Sequence, residues 1–248
     1  MRTRSAFGLV LLSGSLAMGD ITSLNGDLDI EAEVDAGHQG ASLNDYSYAN
    51  IHISPDSDSG FLLDFNADRT TGIFAGGTGG LVESSTSVMS DTQMYSFSHS
   101  MSNRAAIGMD ANDYAESEHG LRLNSLVDFE EGDQVLITMR IEYEAVSNGQ
   151  LWAQLRVSGI AGQGPVMLEV SDPTEAGFVE FTALTTVDGS RAFFLDADME
   201  SRIGASGDRR DEQVDGFSMS ASFTLVPAPG GLALLAPAGL IAAGRRRR

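Results

Sequence analysis

The chain has 248 residues, with 35 carboxylates, 15 arginines, and neither lysine nor cysteine. The missing cysteine excludes disulfides, thiol nucleophiles and zinc–thiolate sites, and the missing lysine excludes Schiff-base and P-loop chemistry. Arg2, Arg4 and the four arginines from Arg245 to Arg248 lie at the two ends, so the stretch between holds nine arginines against 35 carboxylates, a net of −26. That surface repels phosphate backbones and argues against nucleic acid as a partner.

The first element is an apolar run from Ala6 to Met18, behind the basic residues Arg2 and Arg4. With small residues at Ala17 and Gly19, it reads as a secretory signal over residues 1–19, cleaved near Gly19 and Asp20.

Strict alternation follows. From Asp27 to Asp35, Leu28, Ile30, Ala32 and Val34 take one face and five carboxylates take the other, the pattern of a half-buried strand. Further strands are expected near residues 46–54, 61–65, 81–89 and 94–101. In the last of these, His99 shares the phase of Tyr95, Phe97 and Met101, so it is expected in the core, whereas His52 is expected in solvent. Asp64, Asn66 and Asp68 stand at alternate positions, as oxygen ligands of calcium often do, but Arg69 replaces the EF-hand glycine and Ala75 its bidentate glutamate. They read as a solvated loop and as weak calcium candidates, like the acidic turn at Asp56 and Asp58. No other cofactor is expected. The glycine-rich run at residues 76–80 lacks the Lys-Ser/Thr ending of a phosphate loop and reads as a loop between strands. Asp113 and Glu116 have the spacing to cap one short helical turn, and a break around residues 111–118 is the alternative that divides the body into two domains.

The clearest alternation places Val135, Ile137, Met139, Ile141, Tyr143 and Ala145 on one face. It turns through Ser147-Asn148-Gly149 into Leu151, Ala153, Leu155 and Val157, which predicts a hairpin. Trp152, the single tryptophan, falls on the opposite face from Leu151 and Ala153. There it is a candidate stacking platform for sugar, with packing as the plainer role; Tyr46 and Tyr48 have the same standing. A second hairpin is predicted from Val179, Phe181 and Ala183 through Asp188-Gly189 to Phe193, Leu195, Ala197 and Met199. The last strand sets Phe217, Met219, Ala221, Phe223 and Leu225 inward and a serine-rich face outward.

These strands predict an all-β fold over residues 20–225, an antiparallel β-sandwich of jelly-roll-like form. It is flanked by the signal helix and by a C-terminal hydrophobic helix. No His-Glu-x-x-His, Gly-x-Ser-x-Gly or recognisable Ser-His-Asp spacing occurs, so no catalytic residue is assigned and no enzyme is expected.

The tail, residues 226–248, is the most specific feature. Val226, Pro227, Ala228 and Pro229 precede an apolar stretch at residues 230–244, and Arg245, Arg246, Arg247 and Arg248 follow. Fifteen helical residues reach about 22 Å, short of a hydrocarbon core of ~30 Å, and the arginines are a cytoplasmic stop. This layout resembles a PEP-CTERM sorting tail, with Ala228 where glutamate is usual. The resemblance implies transient inner-membrane insertion, cleavage by an exosortase-type membrane protease, and delivery to the cell surface or extracellular matrix. The expectation is therefore an exported, non-enzymatic surface or matrix protein. The alternatives are a lectin-like module for exopolysaccharide, or a secreted glycoside hydrolase using paired carboxylates.

Overall fold

The computed structural model describes residues 20–54, 63–110, 112–146, 149–189, 192–207 and 211–227. The signal at 1–19, the acidic turn at Asp56 and Asp58, and the tail from Ala228 to Arg248 lie outside the described residues.

Among the described residues the regular structure is strand throughout. In chain order the strands are β1 (Ile21–His38), β2 (Ala41–Ile53), β3 (Leu63–Ala75), β4 (Thr78–Ser90), β5 (Met94–Ala106) and β6 (Tyr114–Phe129). They continue as β7 (Gln134–Tyr143), β8 (Gly149–Ser158), β9 (Val166–Ser171), β10 (Gly177–Thr186), β11 (Phe193–Ser206) and β12 (Asp211–Val226). They form two six-stranded antiparallel sheets. Sheet A has the order β2-β1-β6-β11-β8-β9 and sheet B the order β10-β7-β12-β5-β4-β3. The sequence alternation explains the layering, because most inner strands have one largely apolar face and the two sheets bury those faces against each other, while β4 also buries Ser84, Thr86 and Ser90.

One large apolar cluster spans the two sheets, and Ala32, Val34 and Val82 form a second, smaller one. Leu28, Ile30, Leu123, Leu155 and Leu195 from sheet A meet Phe97, Ile137, Met139, Phe217 and Phe223 from sheet B, all of them buried. Phe193 of β11 stacks on Phe223 of β12 with ring centroids 5.3 Å apart, and Phe129 of β6 meets Phe193 edge-on at 5.9 Å. Each fully buried side chain of this size contributes roughly 1.5–3 kcal/mol, so the packed interlayer holds the sandwich together without disulfides.

Two hairpins close on two-residue loops. Gln39 (φ 49°) with Gly40 (φ 79°) joins β1 to β2, and Gly76 (φ 59°) with Gly77 (φ 85°) joins β3 to β4. Left-handed conformation at both positions is the type I′ geometry that matches strand twist. The glycine-rich run is thus a tight turn plus the start of β4.

Several expectations need correction. The segment through Asn148-Gly149 is no hairpin: β7 pairs with β10 and β12 in sheet B, whereas β8 pairs with β11 and β9 in sheet A. The same holds at Asp188-Gly189, since β10 edges sheet B and β11 lies inside sheet A. Alternation fixes which face is buried and does not say which sheet supplies the partner. Gly149 already belongs to β8, where an added Cβ would come 3.0 Å from the Arg202 carbonyl, so close strand approach accounts for this glycine. Val179, Phe181 and Ala183 are half-buried on an edge strand, and Ala145 is exposed beyond the end of β7. Tyr114 to Glu118 form no helical turn; they open β6, which pairs on both sides with β1 and β11.

Candidate functional site

The outer face of sheet A carries the residues that alternation turns away from the core. Pairing sets Tyr48 (β2) opposite Glu31 (β1), Glu31 opposite Gly120 (β6), Gly120 opposite Glu200 (β11), and Glu200 opposite Trp152 (β8). One row therefore crosses five strands with an aromatic ring at each end, a carboxylate inside each ring and a glycine at the centre. Four strand gaps separate the two aromatic positions by about 19 Å. A groove of about 460 Å³ lies along this row. Gly120 forms its floor, and nothing requires glycine there: an added Cβ would meet only the Met199 carbonyl at 4.0 Å, and φ is not left-handed. The missing side chain leaves the groove open.

Hydrogen bonds hold the walls. The Tyr48 hydroxyl donates to Asp29 Oδ1 at 2.8 Å, which also accepts from Asn50 Nδ2 at 2.6 Å. Trp152 Nε1 donates to Glu169 Oε1 at 3.2 Å, fixing the indole by its polar edge. Arg122 Nε donates to Asp198 at 3.0 Å. Arg202 bonds Glu116 and lies 2.9 Å from Glu118. These pairs are solvent-exposed, so screening by water leaves each little net stabilisation, and they orient the walls more than they hold the fold. Burial pushes the Glu118 carboxyl above its usual range; Arg202 opposes this, and Glu116, Glu33 and Glu200 add to it. The bond to Asp29 is the main cause that raises the Tyr48 hydroxyl, and burial is the main cause at Tyr46.

Trp152 thus stands on the outer face, half-buried at one groove wall, while Tyr48 stands half-exposed at the other and Tyr46 lies one row away. Asp64, Asn66 and Asp68 are not in a loop: they project from the same face of β3, the edge of the other sheet, with Asn66 Nδ2 donating to Asp64 at 2.7 Å. Among the described residues no group of three or more His, Asp and Glu side chains could hold a metal ion. Val226 ends β12 opposite Gln134, and Pro227 follows it. Among the described residues no helix is long and apolar enough to cross a membrane.

His99 is buried as expected, and His52 is exposed, 2.9 Å from Asp27. Two features go beyond the sequence expectations. His119 is equally buried, and its phase with Leu121 and Leu123 on β6 was the available signal. The aromatic row could not be read, because it depends on the register between strands distant in the chain.

No protein-family model and no curated protein matches the chain. Among solved structures, it is similar to the carbohydrate-binding module TmCBM61 in complex with β-1,4-galactotriose, at 11% identity and a TM-score of 0.23, over 65% of this chain and 88% of that one. It is also similar to the enzymatically active domain of tailspike protein 4 from bacteriophage CBA120, at 14% identity and a TM-score of 0.20, over 65% of this chain and 19% of that one.

Proposed function

We propose that the chain is an exported surface or matrix protein whose sandwich binds a glycan along the outer face of sheet A. Repeated crossing between the sheets supports a jelly-roll-like reading of the sandwich. The observation that carries the function is the row from Tyr48 to Trp152. Aromatic rings offer apolar faces to the C–H face of a pyranose, and carboxylates accept strong hydrogen bonds from its hydroxyls. An open groove about 19 Å between its aromatic ends suits an extended chain better than a single sugar. Export and release by an exosortase-type protease belong to the same proposal, supported by the signal-like start and the Val226 to Arg248 layout.

Trp152 is the only tryptophan, so its fluorescence reports the site directly. Titration with soluble oligosaccharides of several classes should shift its emission saturably, and Tyr48→Ala should weaken the saturation. No response to any glycan at millimolar concentration overturns the proposal.

A glycoside hydrolase has one observation in its favour: the raised carboxyl of Glu118 lies directly across from Glu33 on β1. Release of reducing ends, abolished by Glu118→Gln, would establish that reading; bound glycan left intact supports binding alone.

A further inference from the structure

We infer that the glycan held by this groove carries positive charge, as a chain of amino sugars with free amines does. The inference rests on the glycan reading of the groove above. The carboxylates do not make the site, which the aromatic-ended row and its glycine floor do; they set the charge of what can enter it.

Among the described residues Asp29, Glu31, Glu33, Glu118, Asp198 and Glu200 line the groove, against one arginine, Arg122. That arginine is engaged by Asp198, and Arg202 at the rim is engaged by Glu116 and Glu118. Each of these two guanidiniums already faces carboxylates, so among the described residues a uronic acid chain would meet like charge along the row. Ionised carboxylates only accept, whereas an ammonium only donates, with three protons, so the two match without rearrangement.

The spacing separates a polymer from an ion. Glu31 and Glu200 flank Gly120 in one row, with backbones about 9.6 Å apart across two strand gaps. No three of the described acidic side chains converge enough to hold one metal. Charge spread in this way complements amines repeated along a chain, and the aromatic rings at the two ends take the sugar faces between them.

The experiment titrates the intact mature protein, by Trp152 fluorescence and calorimetry, with four hexasaccharides. These are β-1,4-linked glucosamine, its fully N-acetylated form, a neutral glucan and a polyuronate, with calcium chloride as a fifth arm. The glucosamine chain is expected to bind at least about tenfold more tightly than the acetylated one, and to weaken with salt. Glu31→Gln/Glu200→Gln should erase that preference, and Gly120→Val should abolish binding of every glycan. Equal affinity for the acetylated or neutral chain, lost in Gly120→Val, overturns the charge inference and leaves the glycan groove standing. Tightest binding of the polyuronate does the same. Glucosamine binding undiminished in Gly120→Val exposes diffuse charge attraction and overturns the inference, as does calcium that saturates the site and displaces the amine. Silence of all four glycans removes the inference together with the glycan reading.

Discussion

His99 and His119 meet across the interlayer, one from each sheet, with their Nε2 atoms 3.3 Å apart and their rings stacked at 5.2 Å. Only one arrangement of protons satisfies both rings. His119 Nδ1 faces the Glu31 carbonyl at 2.7 Å, so it must donate, which leaves its Nε2 as an acceptor. His99 Nε2 then donates to it, and His99 Nδ1 accepts from the Thr86 hydroxyl at 2.8 Å. Both rings are neutral: a proton added at His119 Nε2 would set N–H against N–H, and one added at His99 Nδ1 would face the proton of the Thr86 hydroxyl.

Stability should therefore fall with acid in a defined window. Burial is the main cause that lowers both imidazoles, His119 to about 4, and His119 adds to the lowering at His99. An unfolded histidine titrates near 6.5, so below that pH the unfolded chain takes up protons that the folded one refuses. The contribution is whole above pH 6.5 and is lost as pH falls toward 4, by about 3 kcal/mol for His119 alone. Urea midpoints measured between pH 7.5 and 4.5 check this. The His119→Met variant should show a shallower pH slope than the parent, and equal slopes would contradict the neutral pair. The comparison of slopes matters because protonating surface carboxylates relieves self-repulsion over the same range in both proteins.

Filling the groove floor should separate binding from folding. Glycine inside a strand costs roughly 0.5–1 kcal/mol relative to alanine, and a Cβ added at Gly120 would meet nothing closer than 4.0 Å. Gly120→Val should keep or slightly raise the melting temperature while removing the glycan-induced fluorescence change. A variant that unfolds would show that the glycine is needed for packing and not for access.

What could be read in the sequence was the facing of each strand. Leu28, Ile30 and Val34, and likewise Phe217, Met219 and Phe223, were assigned inward from alternation alone and are buried. Trp152 was assigned to the other face by the same argument. Partners were not legible, because Leu151 needs an apolar ceiling whichever sheet it joins, and so β7 and β8 look like a hairpin although they face each other across the core. The Gln39-Gly40 turn is not legible in the sequence because glutamine carries no turn signature, yet its φ of 49° completes a type I′ loop. The row through Gly120 needs the registers of β1, β6, β11 and β8 together, and those are fixed by tertiary packing.

A buried amide tests how far polar groups hold the sheets in register. Asn103 on β5 is fully enclosed; its Nδ2 donates to the Ser117 carbonyl at 3.2 Å and to Ser201 Oγ at 3.1 Å, and its Oδ1 accepts from the Ser117 hydroxyl. One side chain from sheet B thus satisfies two strands of sheet A. Asn103→Leu would leave the Ser201 hydroxyl and the Ser117 carbonyl without this donor, at ~1–3 kcal/mol for each buried group so stranded. Chemical denaturation should show a loss of about 2–4 kcal/mol, whereas Ser98→Ala on the exposed outer face of the same strand should show nearly none. Equal effects at the two positions would remove the amide from any structural role.

The sorting proposal makes its own demand on mass. Fifteen apolar residues would reach about 22 Å as a helix, short of a ~30 Å hydrocarbon core, so the proposal has residues 230–244 inserted briefly and not as a permanent anchor. The strand that precedes them, β12, lies between β5 and β7 in the middle of sheet B and ends at Val226. Cleavage just beyond Pro229 would therefore leave every pairing of that strand in place. Intact mass of the surface form, from cells that carry an exosortase-type protease, should lack Arg245 to Arg248 and the apolar stretch, with the melting temperature unchanged from that of a chain ended at Pro229. Recovery of the arginine block on the surface form would overturn the tail's assignment.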